Sequence, residues 1–273
     1  MRTLALLAAL LTALVAVVLT ALPADPTAAD NALDQARLAA EVTPFQGIVS
    51  VQWQDSFGLH RETLTVKDTS GAIQIEGQGS AAMVATANER LVLDAGGWSL
   101  VAPGSPTAYG PEPPITSKYH VTTTTGSPVA GRQTTLIDIR TADGSSEERL
   151  FVDQGTGLLL RREQQEGGRT VRVVTFDSIQ IGPVAGLRTP PVHRDELPRQ
   201  IRPNALPAPY RAPPTLATGY QRVGILRRQA VVQVEYSDGL HSLSVFEQTG
   251  ELDVGRLPRP ADQVTIGSAQ ALR

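Results

Sequence analysis

Histidine and acidic side chains are the residues of this sequence that could bind a metal or transfer a proton. The four histidines form no HxxxH or HxH pair and lie far apart, at His60, His120, His193 and His241. Three such ligands can still meet in space with an Asp or Glu, but the spacing indicates no local metal site. The adjacent acids Glu147-Glu148 and Asp195-Glu196 alternate faces or lie in loops. We interpret both as solvated charge rather than as general acid/base pairs.

Nucleophile and thiolate motifs are missing from the sequence. There is no GxSxG, SxxK or HExxH motif, and there are no cysteines. The lack of cysteine excludes disulfides, thiolate metal sites and cysteine nucleophiles. We therefore predict a protein that is not an enzyme, with no catalytic residue and no metal site.

One glycine-rich stretch, GQGSAA at residues 77–82, matches the GxGxxA pattern of a dinucleotide fingerprint, and Asp94 follows at a passable distance for a ribose contact. That fingerprint requires a strand, a glycine turn and then a helix whose N-terminus receives the pyrophosphate. The residues that follow, MVATANERLVLD, are rich in β-branched side chains and lead into another strand. We predict a flexible β-turn here and no bound cofactor.

Composition limits the classes of partner. The 273 residues are enough for two modest domains, and the net charge of −3 makes no electrostatic case for nucleic acid, which requires a concentrated positive surface. Hydrophobic residues make up 41% of the chain and aromatic residues only 4%. The core is therefore predicted to consist of Val, Leu, Ile and Ala. Basic charge is almost all arginine, with lysine only at Lys67 and Lys118.

The first 29 residues are typical of an export signal. Arg2 is followed by an apolar run from Leu4 to Leu22 and by small residues at Thr27-Ala28-Ala29, as signal peptidase requires. The run is also just long enough to remain as an N-terminal anchor. In either case the rest of the chain is predicted to be extracytoplasmic, in the periplasm or on the outer face of the inner membrane.

The remaining sequence predicts one helix followed by β-strands. Asp30 or Asn31 can cap a helix that continues to Val42, and after Pro44 the residues alternate or are β-branched. Strand patterns then recur about every ten residues, separated by Gly-rich turns, at 45–53, 59–68, 71–77, 89–94, 97–102, 118–125, 131–143, 147–154, 157–165 and 169–181. This spacing indicates an antiparallel meander whose apolar face packs against the helix.

Domain boundaries follow from a proline-rich tract. Residues 183–214 contain nine prolines and almost no periodic apolar pattern, which predicts a linker or a long surface-hugging connector. We expect a half-barrel domain at 30–182, a connector at 183–215 and a small, incomplete β domain at 216–273. The last 23 residues, from Glu251, are interrupted by prolines and are predicted to be weakly structured.

Two features of the strands could have a binding role. Trp53 and Trp98, the only tryptophans, either pack in the core or line an apolar cavity that could hold an acyl chain. Residues 236–250, YSDGLHSLSVFEQTG, predict a hairpin in which Tyr236 ends one strand, Ser237-Asp238-Gly239 form the turn, and Leu240 begins the returning strand.

That hairpin is the most specific part of a resemblance to the MucB/RseB family of periplasmic sigma-E regulators. The stretch EYSDGLHSLSVF follows Gly219-Tyr220 and a proline-rich connector, and it resembles the C-terminal domain of that family. AAEVTPFQGIVSVQW, ERLVLDAGGWSLV, the VAGR turn, the FVDQGTGLLLR hairpin and the closing FDSI strand are similar to the N-terminal domain, in order. The resemblance covers most of residues 33–250.

The resemblance implies a mainly β (α+β) protein: an antiparallel, LolA/LolB-like half-barrel with a covering helix, plus a smaller C-terminal β domain. It implies an exported, non-enzymatic regulator of envelope stress that binds the extracytoplasmic part of a membrane anti-sigma factor and senses a lipid-like ligand. Tyr236, Ser237, Asp238 and Gly239 match the family motif and are its candidate partner-contact residues; the alternative is that they only build the turn.

Two departures and one competing function stay open. The short C-terminus and the many prolines of the connector are expected to alter the partner surface and to hold the domains farther apart. The competing function is a lipid or lipoprotein carrier of the cell envelope, which would use the same half-barrel as a container. A homo-oligomer is compatible with either function.

Overall fold

The computed structural model describes most of the chain after residue 27. The described residues are 28–55, 58–70, 72–77, 82–86, 89–94, 97–103, 113–185, 187, 199–201, 206, 208–216, 219–250, 263–266 and 269–272. For residues 82–103, 199–200 and 263–272 only the backbone is described. The predicted signal or anchor, residues 1–29, lies outside these ranges apart from its last two residues. None of the described helices is long and apolar enough to cross a membrane.

Helix α1 (Ala28–Val42) covers one end of the large sheet, where it contacts two of its strands. It begins two residues before the predicted cap at Asp30 and ends before Pro44, whose ring disfavours helical backbone at the preceding residue. Leu33, Ala36 and Ala39 are buried at spacings of three residues. This spacing places them on the stripe of the helix that faces the sheet.

Eleven of the described strands form one open antiparallel sheet. They are β1 (Phe45–Asp55), β2 (Gly58–Asp68), β3 (Ala72–Gly77), β4 (Ala82–Thr86), β5 (Glu89–Asp94), β6 (Gly97–Pro103), β7 (His120–Val129), β8 (Arg132–Arg140), β9 (Ser146–Asp153), β10 (Leu159–Glu166) and β11 (Arg169–Ile181). Their order is β6-β5-β4-β3-β2-β1-β11-β10-β9-β8-β7, so the two meanders join where the first strand pairs with the last. The predicted antiparallel half-barrel with a covering helix is confirmed.

The core of the half-barrel lies between the helix and the covered face of the sheet. Val49 and Val51 on β1 lie opposite Phe176 and Val174 on β11, and all four side chains are buried. A neighbouring cluster packs Leu33 and Ala36 of the helix against the isoleucines of β8. Each fully buried side chain of this size contributes about 1.5–3 kcal/mol. Aliphatic residues dominate as predicted, although three phenylalanines, at 45, 151 and 176, also belong to the core.

A buried carboxylate explains the VAGR and FVDQGTG motifs. Asp153 at the end of β9 accepts two hydrogen bonds from the Arg132 guanidinium, at 2.8 and 2.9 Å, and two from the backbone N–H and hydroxyl of Thr156. Burial raises the pKa of Asp153, but these donors outweigh it and the pKa lies below its ordinary value. Gly157 has φ +80° and lies against α1, where an added Cβ would be 3.1 Å from Ala39 Cβ. The motifs therefore fix the β9–β10 turn beneath the helix.

The GxGxxA stretch is followed by a strand. β3 ends at Gly77, and the next described residues are β4, which pairs antiparallel with β3. A strand therefore stands where the fingerprint needs a helix. The sequence analysis did not separate β4 from the strand that follows it. Residues 78–81, the predicted turn itself, lie outside the described residues.

The smaller domain is built on a four-stranded antiparallel sheet. Its strands are β12 (Arg199–Gln200), β13 (Gln221–Arg228), β14 (Val231–Ser237) and β15 (Ser242–Gln248), in that order. Val232, Val234 and Tyr236 of β14 are buried with Ile225 of β13. Tyr210 of the connector completes this core and donates a hydrogen bond to the Ala230 carbonyl at 2.6 Å. The described part of the connector thus packs along the small sheet.

The C-terminal residues contain two further strands, β16 (Gln263–Ile266) and β17 (Ala269–Leu272), which pair with each other. For these two stretches the prediction of weak structure is wrong, and residues 251–262 lie outside the described residues. Prolines 258 and 260 break the sequence pattern before the strands, and each strand has only four residues. Such short strands carry too little periodicity to be recognised in the sequence.

Candidate functional site

The four residues of the predicted partner motif lie where the two domains meet. Tyr236 and Ser237 end β14, and Asp238 and Gly239 begin the loop to β15. The Tyr236 ring is part of the small-domain core, and its hydroxyl donates to the Pro213 carbonyl at 3.1 Å. Ser237 Oγ accepts a hydrogen bond from the Gly239 N–H at 3.1 Å. Partner contact through these residues stays a prediction; in this structure they shape the loop and support it.

Asp238 is a buried carboxylate shared by the two domains, with only 2% of the residue exposed. Oδ1 accepts the backbone N–H groups of Leu240 and His241 at 3.1 and 2.8 Å. Oδ2 accepts the Tyr119 hydroxyl at 2.7 Å and the Lys118 ammonium, both from the segment that precedes β7. Burial raises the pKa of Asp238, but the donors, with Lys118 the strongest, hold the pKa below its ordinary value. The carboxylate is therefore charged at neutral pH.

Gly239 and Leu240 form the rest of the contact with the large domain. Gly239 has φ +92°, as the predicted turn requires, and an added Cβ would lie 2.5 Å from the Pro113 carbonyl oxygen and 3.1 Å from backbone atoms of Ile115. Leu240 packs against the core cluster that contains Ile115 and Tyr119. The prediction that Leu240 belongs to the returning strand is wrong, because β15 begins at Ser242.

Aromatic rings surround the shared carboxylate. The Lys118 ammonium lies 5.2 Å from the centre of the Tyr119 ring and 5.1 Å from that of Tyr220, which belongs to the small domain. His241 meets the Tyr119 ring edge-on at 6.3 Å, and its Nε2 is 3.9 Å from Glu147 Oε2. The arrangement can recognise an acidic turn by charge and by shape. The connector was predicted to hold the domains farther apart than in the family; in this structure the two domains are in direct contact.

Sequence reasoning missed Lys118 and Tyr119. They stand in no motif, and their partner lies about 120 positions away. One signal was available: Lys118 is one of only two lysines in a chain whose other basic residues are arginines.

The two tryptophans are placed differently by the structure. Trp53 on β1 is half-buried, and its ring stacks on His60 of β2 with 5.0 Å between the ring centres. Its indole N–H is buried and makes no hydrogen bond within the described part of the chain. Trp98 lies on β6, whose side chains are outside the description. Lining of an apolar cavity by these residues stays a prediction.

A buried ion pair lies on the helix-covered face of the sheet. Glu148, which alternates with Leu150 and Val152 on β9, is 1% exposed and accepts the Arg162 guanidinium in a bidentate pair. The interpretation of Glu148 as solvated charge is wrong. Burial, and then repulsion from Arg162, lowers the pKa of the nearby Arg172 on β11. The alternation of Glu148 with buried aliphatic residues was the signal in the sequence that could have revealed this pair.

Two of the remaining candidate side chains, His60 and His120, are described by the structure. Among the described residues, no group of three His, Cys, Asp or Glu side chains is placed to hold a metal ion. His60 stacks on Trp53 and His120 begins β7, at opposite halves of the sheet. His193 and Asp195-Glu196 lie outside the described residues.

Comparison with known proteins shows what this two-domain structure is similar to. No protein-family model and no curated protein matches the sequence. A crystal structure of MucB is 18% identical, with a TM-score of 0.57, and the match covers 89% of this chain and 90% of that one. The complex of MucA and MucB from Pseudomonas aeruginosa is 18% identical, with a TM-score of 0.54, and covers 88% of this chain and 86% of that one.

A further structure, MucB in complex with MucA(peri), is 17% identical with a TM-score of 0.51, and covers 89% of this chain and 86% of that one. At such identities the likeness shows the fold. Because the half-barrel alone accounts for little more than half of the chain, matches of this extent include the small domain. The resemblance read from the sequence is confirmed as a shared two-domain fold.

Proposed function

We propose that this protein is an exported, non-enzymatic regulator that binds the extracytoplasmic part of a membrane anti-sigma factor. One observation carries the proposal: the chain shares its fold with MucB over both domains, including MucB bound to MucA. In the MucB/RseB family that complex is the regulatory step, and a simple carrier has no need of the second domain.

The small domain offers a surface that suits an extended partner segment. Within the described sheet, β15 is paired on one side only, with β14, so its outer edge presents free backbone N–H and C=O groups. Phe246 on this strand is 65% exposed, and Leu243 is also exposed. An unpaired strand edge with exposed apolar side chains is typical of a site where a peptide adds as a further strand. We infer that the anti-sigma segment binds here.

A capture experiment with matched variants tests the proposal. Residues 30–273 serve as bait for detergent-solubilised membranes, and retained proteins are identified by mass spectrometry. We expect a single-span anti-sigma factor, and we expect Phe246→Ser to reduce its capture. Leu59→Ser is the control, because Leu59 is 75% exposed on the large sheet. Failure of the parent chain to retain any anti-sigma factor would count against the proposal.

A lipid-binding role is the second candidate, and the covered face of the half-barrel favours it. Trp53 has a buried indole N–H without a partner in the described part of the chain, and Arg172 projects from the register position opposite Trp53. An acyl chain with a polar head could use both groups. Lipid extraction of the purified protein followed by mass spectrometry tests this role. Bound lipid together with anti-sigma capture indicates a ligand-sensing regulator; bound lipid alone indicates a carrier.

A further inference from the structure

The loop between β14 and β15 is held by a defined edge of the large domain. We call Pro113, Ile115, Lys118 and Tyr119 the docking edge. Lys118 and Tyr119 donate hydrogen bonds to Asp238, and the Pro113 carbonyl lies against Gly239. Ile115 and Tyr119 belong to the apolar cluster against which Leu240 packs. Charge, close approach and apolar contact thus coincide within three consecutive residues of the loop.

We propose that the docking edge is an intramolecular binding site for this acidic loop and that the contact is a releasable latch. While the loop is seated, the large domain covers Asp238 and Gly239. A partner segment that adds to the edge of β15 and also contacts the adjoining Tyr236–Gly239 motif must therefore first displace Lys118 and Tyr119. This competition rests on the proposed function; the latch itself does not.

The hydrogen bonds of Asp238 explain why release does not require unfolding. Oδ1 is bonded inside the loop, to the N–H groups of Leu240 and His241, and only Oδ2 is bonded to the docking edge. On release, the Oδ1 bonds keep the loop in shape, and water can take the place of the donors on Oδ2. Each domain also has a core of its own. The loop is therefore preformed for binding, whether to the docking edge or to a partner.

The docking edge, like the loop, can give up this contact without unfolding. The Lys118 side chain is 38% exposed, so its ammonium is already partly hydrated and water weakens its attraction to the buried Asp238 carboxylate. Leu240 is the apolar side chain of the loop that must leave a core cluster of the large domain. The contact is thus closed at rest, yet it is small enough for a competing ligand to open.

The lysine content of the chain provides a direct assay of the latch. The only lysines are Lys67 and Lys118. Lys67 lies on β2, which five strands separate from β7, and serves as an internal reference. A short pulse of an amine-acylating reagent, followed by digestion and mass spectrometry, measures the labelling of Lys118 relative to Lys67. A seated Lys118 is held by Asp238 between two tyrosine rings, so release should raise this ratio.

Asp238→Asn is the variant that breaks the latch and spares the loop. The Asn oxygen can still accept the N–H groups of Leu240 and His241, but the NH₂ group cannot accept from Lys118 or Tyr119. We expect the labelling ratio to rise by about tenfold or more, the size expected for one lost hydrogen bond to a charged group. Tyr119→Phe removes one donor without touching the small domain and should raise the ratio less. Asp143→Asn is the control, because Asp143 bonds only within its own turn.

The outcomes separate the latch from the proposed function. An unchanged ratio in both Asp238→Asn and Tyr119→Phe overturns the latch, whatever the partner. If Tyr119→Phe raises the ratio and also tightens binding of the isolated anti-sigma segment, both latch and competition are supported. If it raises the ratio and leaves that affinity unchanged, the competition is overturned and the latch is supported. If no variant binds the segment, the proposed function fails, and the labelling ratio still decides the latch.

Discussion

Alanine at Gly239 should separate the backbone strain of the loop from the docking of the two domains. Gly239 has φ +92°, and an added Cβ would lie 2.5 Å from the Pro113 carbonyl oxygen. Gly250, also in the small domain, has φ +111°, and no atom of the described residues lies within 4 Å of an added Cβ. Alanine at either position therefore has the same backbone strain, and only at Gly239 does its Cβ also collide with the large domain.

The expected magnitudes follow from these two geometries. Placing an L-residue in left-handed backbone costs about 1–2 kcal/mol, so Gly250→Ala should lose that amount. The atom that blocks the Gly239 side chain is a backbone oxygen, which cannot rotate away, so the loop must lift from the docking edge. Weakening the bonds of Asp238 to Tyr119 and Lys118 should add about 1–3 kcal/mol, reduced by the partial hydration of Lys118. Gly239→Val should be more damaging still, because its β-branched side chain is bulkier.

Two measurements on the same variants test this expectation. Urea unfolding followed by circular dichroism gives the change in midpoint, and acylation gives the labelling of Lys118 relative to Lys67. We expect both alanine variants to unfold at lower urea, and only Gly239→Ala to raise the labelling ratio. Equal midpoints and equal ratios for the two variants would refute the docking of Gly239 against Pro113.

Three further predictions concern the half-barrel. Glu148→Gln should lower the free energy of unfolding by about 3–5 kcal/mol in chemical denaturation, because it removes the charged carboxylate that pairs with the buried Arg162 guanidinium. Glu166→Gln, at an exposed position of β10, should change little, and equal losses would contradict burial of the pair. Burial raises the pKa of Asp68 to about 6 despite the hydrogen bond from the Ser70 N–H. The protonated Asp68 carboxyl therefore contributes stability that is complete below pH 3.8 and is lost as the pH rises through 6. Asp68→Asn lacks this loss, and between pH 4 and 6.5 its unfolding free energy should gain about 2 kcal/mol relative to the parent; a difference that does not vary with pH would argue against burial of this carboxyl. Arg132→Lys should lose about 1–2 kcal/mol of unfolding free energy, because lysine cannot form the two parallel bonds to Asp153, whereas Arg140→Lys in the exposed β8–β9 region should lose less.

Much of the fold could be predicted because its signals are local. The strands β7 to β11 follow β-branched stretches bounded by glycine turns, and their predicted limits agree with the structure to within four residues. Helix α1 and the β14–β15 hairpin were predicted for the same reason. β4 was missed because it has five residues and adjoins the glycine-rich stretch. The C-terminal hairpin was missed because each of its strands has only four residues.

Burial and contact between domains could not be predicted in this way. Whether a charged residue on a strand is solvated or buried depends on which face the helix covers, and that depends on the register of the whole sheet. Glu148 illustrates this: its partner, Arg162, lies on the next strand, 14 positions away. The alternation pattern indicates that Glu148 shares a face with Leu150, but only the packed helix makes that face dry.

The sequence by itself determined a β-rich, cysteine-free, two-domain chain, with a glycine turn at Gly239 and a resemblance to MucB/RseB proteins, because composition, periodicity and turn chemistry act over a few residues. Only the tertiary structure decided that Asp238 accepts a hydrogen bond from Tyr119, 119 positions away, and that Leu240 packs against the core of the other domain. Those contacts depend on how two separately packed surfaces fit together, and no short stretch of either one encodes the other.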